Sequence, residues 1–179
     1  VVHGQAGSDT VDGGPGNDVV LGNRGFAARV IGRVRQLEAA LGDDAFARGH
    51  ADYWQLRFLE MLGDDPHATR RHAELAALHN ERAGNRRMLS CTLASLGECE
   101  RQLGSREKAE QLMRDAVVLA REVGEAISWS FVQQYLANLL AASGPDDQLA
   151  EAETLALQAV ELAGDGQAYQ ALGLTARSL

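Results

Sequence analysis

From Phe26 onward, apolar residues recur at intervals of three and four positions, and charged residues fill the positions between them. This spacing collects the apolar side chains on one face of an α-helix. The pattern predicts eight helices, at residues 26–41, 45–62, 66–83, 86–103, 106–123, 126–143, 146–163 and 167–179. None of these segments shows the period of two that predicts a strand. The sequence therefore predicts a mainly α fold.

Two series of glycines interrupt the helical segments with nearly the same period. One series lies at positions 63, 104 and 144, and the other lies at positions 42, 84, 124 and 164. Each glycine follows an amphipathic segment, where a residue in the left-handed conformation commonly ends a helix. Because the two series interleave at about 40 residues, each repeat contains two helices. We therefore expect an α-α superhelix, a solenoid of helical hairpins.

The unit at residues 92–120, TLASLGECERQLGSREKAEQLMRDAVVLA, resembles the tetratricopeptide repeat. Its first helix contains Leu96 and Gly97, its turn contains Gly104, and its second helix presents the small residues Ala109 and Ala116. Small side chains at these positions let neighbouring helices approach closely. The resemblance extends over about residues 43–179, with a period near 40 instead of the usual 34 and without the proline that ends the family's repeat.

This resemblance implies a protein-interaction scaffold with a concave groove lined by the first helix of each pair. Carried over position by position, it places six residues of the two best-matching units in the groove: Glu98, Arg101, Gln102, Phe131, Gln134 and Asn138. Side-chain amides both donate and accept hydrogen bonds, which suits a contact with a peptide backbone. The alternative interpretation of these positions is a solvated helix face.

The first 25 residues differ from the rest in being rich in glycine and aspartate and in lacking Glu and Lys. Glycine inside a helix costs about 1 kcal/mol relative to alanine, so this stretch is not predicted to be helical. The sequence therefore divides into a Gly/Asp-rich segment at residues 1–25, expected to form turns or the remnant of a β-roll, and a helical repeat domain at residues 26–179.

Residues 4–21 of this segment divide into two nine-residue units, GQAGSDTVD and GGPGNDVVL. The second unit matches the repeat-in-toxin nonapeptide at every specified position, and the first has Gln5 in place of one glycine. The resemblance implies that calcium is held by backbone carbonyls of the glycine-rich turns and by the carboxylates of Asp9 and Asp18. These hard oxygen ligands suit Ca²⁺.

A third turn would occupy residues 22–27, but Ala27 stands where the repeat has an aspartate. Three interpretations of the segment stay open: a degenerate or truncated calcium roll, a functional calcium site, and a flexible linker. Calcium is the one cofactor that the sequence suggests, with Asp9 and Asp18 as its candidate ligands.

Charge and composition narrow the classes of function. The net charge of −8 argues against a general nucleic-acid binder, which needs a basic surface. No apolar run reaches the roughly 20 residues that span a bilayer. Cys91 and Cys99 lie about 12 Å apart along one predicted helix, too far for a disulfide, and are expected to be buried. The five histidines fall into no metal-binding motif, and no catalytic motif is present, so we do not expect an enzyme.

The leading hypothesis is a non-enzymatic scaffold that binds a peptide or a neighbouring domain in its groove. One alternative is a calcium-binding secreted protein with repeat-in-toxin character, and another is a sensor or scaffold fragment of a larger bacterial regulatory protein or enzyme. The helical repeats favour a cytoplasmic location, whereas a working calcium roll favours secretion. The sequence indicates neither the oligomeric state nor the identity of a partner.

Overall fold

The computed structural model of the chain describes residues 29, 31–34, 36, 41–62, 65–142 and 146–175. Within them the fold is mainly helical and contains no strand. Its helices are α1 (Ala45–Leu62), α2 (Pro66–Arg82), α3 (Arg86–Gln102), α4 (Arg106–Val123), α5 (Ala126–Ala141) and α6 (Asp146–Thr175). Residues 29, 31–34 and 36 are also helical, in agreement with the helix predicted at 26–41. The segment predicted to bind calcium, including Asp9 and Asp18, lies outside the described residues.

Side chains and turn residues fix where the helices begin and end. Asp65 caps α2 by accepting a hydrogen bond from the backbone N–H of Ala68 at 2.9 Å, and Glu125 caps α5 by accepting one from the N–H of Ser128 at 2.8 Å. Such caps satisfy donors that have no partner within the helix. At the other end of a helix, Gly124 follows α4 with a φ of +73°, which glycine adopts without steric cost.

Each helix packs against the next one along the chain, and α3 also packs against α5. Asn80, near the end of α2, donates to the backbone oxygen of Gly49, near the start of α1, at 3.2 Å. Arg86 at the start of α3 pairs with Glu122 at the end of α4. In both pairs the start of one helix contacts the end of the other, so α1 and α2 run antiparallel, as do α3 and α4.

The buried core of the described residues is built mainly from alanine and leucine. One buried cluster joins α1, α2 and α3, a second joins α4, α5 and α6, and a third joins α3, α4 and α5. α3 and α4 approach each other closely at Gly97, which faces Ala109 and the fully buried Met113. The close helix crossing that the sequence predicts at Gly97 and Ala109 is therefore present.

The glycine series is confirmed at positions 42, 84, 104 and 124, where each glycine has a positive φ after a helical segment. Positions 63 and 144 lie outside the described residues. The prediction at Gly164 is wrong, because α6 continues through it from Asp146 to Thr175 as one helix instead of two. A single glycine costs a helix only about 1 kcal/mol, which helix-favouring neighbours can offset. The predicted ends of α2, α3 and α5 differ from the observed ones by one or two residues.

Candidate functional site

Arg57 of α1 extends to α5 and connects these two helices. Its Nη1 donates to the hydroxyl of Tyr135 at 2.7 Å, and its guanidinium lies 5.0 Å from the centre of the Phe131 ring, within the range of a cation–π interaction. It also forms an ion pair with Glu60, one turn further along α1. Because α3 packs against both α1 and α5, these residues belong to a common α1/α3/α5 surface.

The charges at this contact are partly withdrawn from water. Burial raises the pKa of Glu60, although the positive charge of Arg57 acts in the opposite direction. Burial and the neighbouring carboxylate of Glu60 likewise raise the pKa of Tyr135, so its hydroxyl stays protonated and neutral. For Arg57, burial alone lowers the pKa, but Tyr135 and Glu60 outweigh it and the net shift is upward. Arg57 therefore remains a cation held by the carboxyl group of Glu60, the hydroxyl of Tyr135 and the ring of Phe131.

Three of the predicted groove residues form a hydrogen-bonded group at the end of α3. Arg101 donates to both carboxylate oxygens of Glu98, at 2.8 and 2.6 Å, and Gln102 donates to one of them at 3.0 Å. Arg101 and Gln102 are exposed, whereas Glu98 is half-buried. The hydrogen bonds to Glu98 raise the pKa of Arg101. A ligand at this position would meet one bidentate ion pair and one exposed amide.

The other three predicted groove residues lie on α5 in different environments. Phe131 is half-buried, and its ring centre lies 4.8 Å from that of Tyr135. Gln134 is buried, with 7% of its surface exposed, and donates to the hydroxyl of Ser130 at 3.3 Å. Asn138 is half-buried. The structure thus brings Phe131 to the Arg57 contact and leaves Gln134 little surface for a ligand; peptide binding by these residues stays a prediction.

Arg57, Glu60 and Tyr135, which link Phe131 to α1, are not among the residues predicted from the sequence. The spacing of Arg57 and Glu60 at i and i+3 was a local signal for an ion pair. The contact between Arg57 and Tyr135, however, joins positions that are 78 residues apart. Helical periodicity carries no information about such a contact, because it depends on how the helices pack.

Both cysteines are buried, as predicted. Burial raises the pKa of Cys91, and burial together with nearby carboxylates raises that of Cys99 to about 12. A thiol with a raised pKa is a weak nucleophile at neutral pH, since the thiolate is the reactive form. These residues therefore act as small apolar side chains of the core.

The described histidines form no metal centre, but one of them has a specific partner. His79 of α2 lies with its Nδ1 at 2.6 Å from a carboxylate oxygen of Asp52 on α1, in a part-buried contact. In the part of the chain that the structure describes, no group of three or more His, Cys, Asp or Glu side chains is placed to hold a metal ion. None of the described helices is long and apolar enough to cross a membrane.

Comparison with known proteins identifies one part of the chain. No curated protein and no solved structure matches the sequence. Residues 1–26, however, match the family model of the RTX calcium-binding nonapeptide repeat, which is described with four copies of the repeat. The match includes both nine-residue units with Asp9 and Asp18, and it confirms the resemblance predicted for residues 4–21. The N-terminal segment of this chain is therefore similar to calcium-binding RTX repeats.

Proposed function

We propose that residues 43–179 form a tetratricopeptide-like solenoid, a non-enzymatic scaffold that binds a peptide or a neighbouring protein domain at the α1/α3/α5 surface. The observation that carries this proposal is the contact of Arg57 with Tyr135 at 2.7 Å. It joins the first helices of the first and third pairs, and such helices share one face in a solenoid of hairpins. The close crossing of α3 and α4 at Gly97 supports the same architecture.

The chemistry of the surface suits an extended peptide. Exposed Arg101 and Gln102 offer donors for a carboxylate or a backbone carbonyl, and the half-buried ring of Phe131 offers an apolar contact. Glu98 holds Arg101 in one orientation through two hydrogen bonds. The side chain of Arg101 therefore loses less conformational entropy when a ligand binds. Arg101 is therefore the residue most directly placed to contact a partner.

Peptides selected from a random displayed library against the 179-residue chain would test the proposal. We expect Arg101→Glu to weaken the selected peptides at least tenfold by calorimetry, about 1.4 kcal/mol. Arg82→Glu, at an exposed arginine at the end of α2, is the matched control and should leave the affinity unchanged. Selection that yields no binder, or peptides that bind the two variants equally, would contradict binding at this surface.

A second candidate function is calcium binding by residues 1–26, favoured by the match to the RTX repeat. The donor set fits this ion in type, because the repeats offer the carboxylates of Asp9 and Asp18 together with carbonyls of glycine-rich turns. When bound, Ca²⁺ would hold together turns that stack on the same side of a roll, through shared oxygen ligands. If the calcium site functions, this candidate implies a secreted protein in which the helical domain is a passenger.

Calcium binding can be measured separately from the helical array. We expect calorimetric titration to about 5 mM Ca²⁺ to show saturable heat of binding, with an affinity in the range of extracellular calcium modules. The double variant Asp9→Asn/Asp18→Asn should abolish this heat. Asp43→Asn/Asp115→Asn removes the same charge from exposed positions of the described chain and should retain the heat. Absence of binding in the unaltered chain, or equal binding by both double variants, would exclude this function.

A further inference from the structure

Arg57 uses only one nitrogen of its guanidinium for the hydrogen bonds within α1 and to α5. Its Nη1 donates both to Glu60 and to the hydroxyl of Tyr135. The other N–H donors of an arginine belong to Nη2 and Nε. Within the described part of the chain, neither of these nitrogens has a hydrogen-bond partner, and neither is fully buried. The side chain is 30% exposed. The Nη2/Nε edge of Arg57 is therefore accessible to a ligand.

This free edge has the geometry that a carboxylate requires. Nη2 and Nε of a guanidinium each direct one N–H toward the same side, so the two oxygens of a carboxylate can accept one hydrogen bond each. The ring of Phe131 and the hydroxyl of Tyr135 already restrict the orientation of Arg57, which lowers the conformational entropy lost on binding. A neutral carbonyl has one oxygen and no charge. The edge therefore favours a carboxylate over an amide.

A carboxylate on this edge would lie on the same cation as the carboxyl group of Glu60. Glu60 is only 14% exposed, and its Oε1 is buried near the hydroxyl of Ser95 without forming a hydrogen bond to it. Two carboxylates that share a partly buried site favour the binding of a proton by one of them. Burial already raises the pKa of Glu60, against the effect of Arg57. Glu60 is therefore the group expected to take up the proton.

The other titratable groups near Glu60 are not able to take this proton in its place. Tyr53 on α1, Cys99 on α3 and Tyr135 on α5 interact with the charge of Glu60, and burial raises the pKa of each. These three side chains are already protonated at neutral pH. Glu98 on α3 also acts on Glu60, but it accepts three hydrogen bonds from its own neighbours on α3.

We propose that Arg57 and Glu60 form a proton-coupled carboxylate site. An acidic side chain of the bound peptide accepts hydrogen bonds from Nη2 and Nε of Arg57, and Glu60 takes up one proton as the peptide binds. The inference rests on the function proposed for the α1/α3/α5 surface, and it names the chemical class of the ligand. The affinity for an acidic peptide should therefore rise as the pH falls toward about 5.5, where an ordinary glutamate of pKa about 4.3 is still ionised.

Two blocked tripeptides that differ only in charge test the site. In a ¹⁵N-labelled 179-residue chain, we expect N-acetyl-Ala-Glu-Ala-amide to shift the backbone amide signals of Arg57 and Phe131 saturably. Its affinity should rise about threefold or more between about pH 7.5 and about pH 5.5, within the limit of about tenfold per pH unit for one coupled proton. The uncharged N-acetyl-Ala-Gln-Ala-amide should bind about tenfold more weakly at the lower pH and show no pH dependence.

Glu60→Gln removes the proton-binding carboxyl group and keeps the size of the side chain. At neutral pH this variant should bind the glutamate peptide as tightly as the unaltered chain does at the lower pH, and its affinity should no longer depend on pH. Glu107→Gln, at an exposed glutamate of α4, is the matched control and should retain the pH dependence. The comparison of the two peptides uses the unaltered chain, so it still tests the site if Glu60→Gln does not fold.

Several outcomes would overturn the proposal. Equal affinities for the two peptides, or an affinity for the glutamate peptide that is the same at both pH values, would exclude the site. A pH dependence that persists in Glu60→Gln would assign the proton to another group. Tighter binding of N-acetyl-Ala-Gln-Ala with a free C-terminus would make this a site for chain ends. Library peptides that depend on Arg101 but contain no acidic residue would contradict this inference and leave the scaffold function standing, whereas a selection without binders contradicts the scaffold function itself.

Discussion

Replacing Gly97 with alanine tests how closely α3 and α4 must approach. A Cβ atom at this position would lie 2.8 Å from Cγ of Met113 and 3.0 Å from the backbone oxygen of Ala109. Carbon atoms at van der Waals contact are about 3.5–4.0 Å apart, so the new methyl group overlaps both neighbours. Met113 is fully buried, and the carbonyl of Ala109 belongs to the helix backbone.

Two opposing effects determine the size of the change. Alanine is favoured over glycine in a helix by about 1 kcal/mol, which by itself would stabilise α3. Inserting a methyl group into a packed core typically costs about 1–3 kcal/mol, and the backbone contact places Gly97 at the upper end. We therefore expect Gly97→Ala to lower the free energy of unfolding by about 1–2 kcal/mol. In a chain of ordinary marginal stability, this is a substantial part of the total.

Urea denaturation followed by circular dichroism at 222 nm provides the measurement, with the urea midpoint and the slope compared between variants. Gly32→Ala is the matched control, because Gly32 is also helical and its added Cβ would meet nothing within 4 Å. This control should gain up to about 1 kcal/mol from helix propensity. A midpoint for Gly97→Ala equal to or above that of the unaltered chain would refute the steric reasoning.

Three further changes test the turns, the buried thiols and one ion pair. Gly124→Ala should cost about 1 kcal/mol, because a φ of +73° is unfavourable for alanine, and an unchanged urea midpoint would contradict this. Cys91 and Cys99 should both resist a thiol reagent in the folded chain and react fully in urea; rapid labelling of the folded chain would show that they are accessible. Hydrogen bonds from Arg114 lower the pKa of Glu151, so its contribution to stability is present above the unfolded pKa of about 4.3 and is lost as the pH falls through the lower folded value. The unfolding free energy of Glu151→Gln should therefore fall less than that of the unaltered chain between about pH 5 and pH 3. The difference should be below about 1 kcal/mol, because the ion pair is exposed. Identical pH profiles of the two chains would contradict this.

Local sequence signals predicted most of the helical structure. The apolar spacing and the glycines placed α1 at residues 45–62 and α4 at 106–123, both as observed. The same signals failed at Gly164, because a glycine ends a helix only when the following backbone departs from the helix, and here α6 continues. Periodicity also could not show that Gln134 is buried. Its burial depends on how α5 packs against other helices, and the spacing of residues within α5 does not predict that packing.

Features that depend on several helices were beyond local prediction for the same reason. A cleft between α4, α5 and α6 requires that Val117, Trp129 and Leu155 come from three helices and leave a gap between them. The spacing of apolar residues within one helix does not predict a gap that forms between three helices. The nonapeptides at residues 4–21, by contrast, are a contiguous motif, and the match to the RTX repeat confirms what their residues alone indicated.

The contact between Arg57 and Tyr135 has a consequence for the way in which the helices unfold. In a chain of helix pairs that touch only adjacent pairs, stability is nearly a sum of local terms, and the ends can open independently. Arg57 adds a direct interaction between the first pair and the third, across the pair formed by α3 and α4. If α5 unfolds, the part-buried guanidinium of Arg57 on α1 loses two partners, Tyr135 and Phe131, so α1 is destabilised as well. We therefore expect α1 to α5 to exchange their most protected amide hydrogens as one cooperative unit.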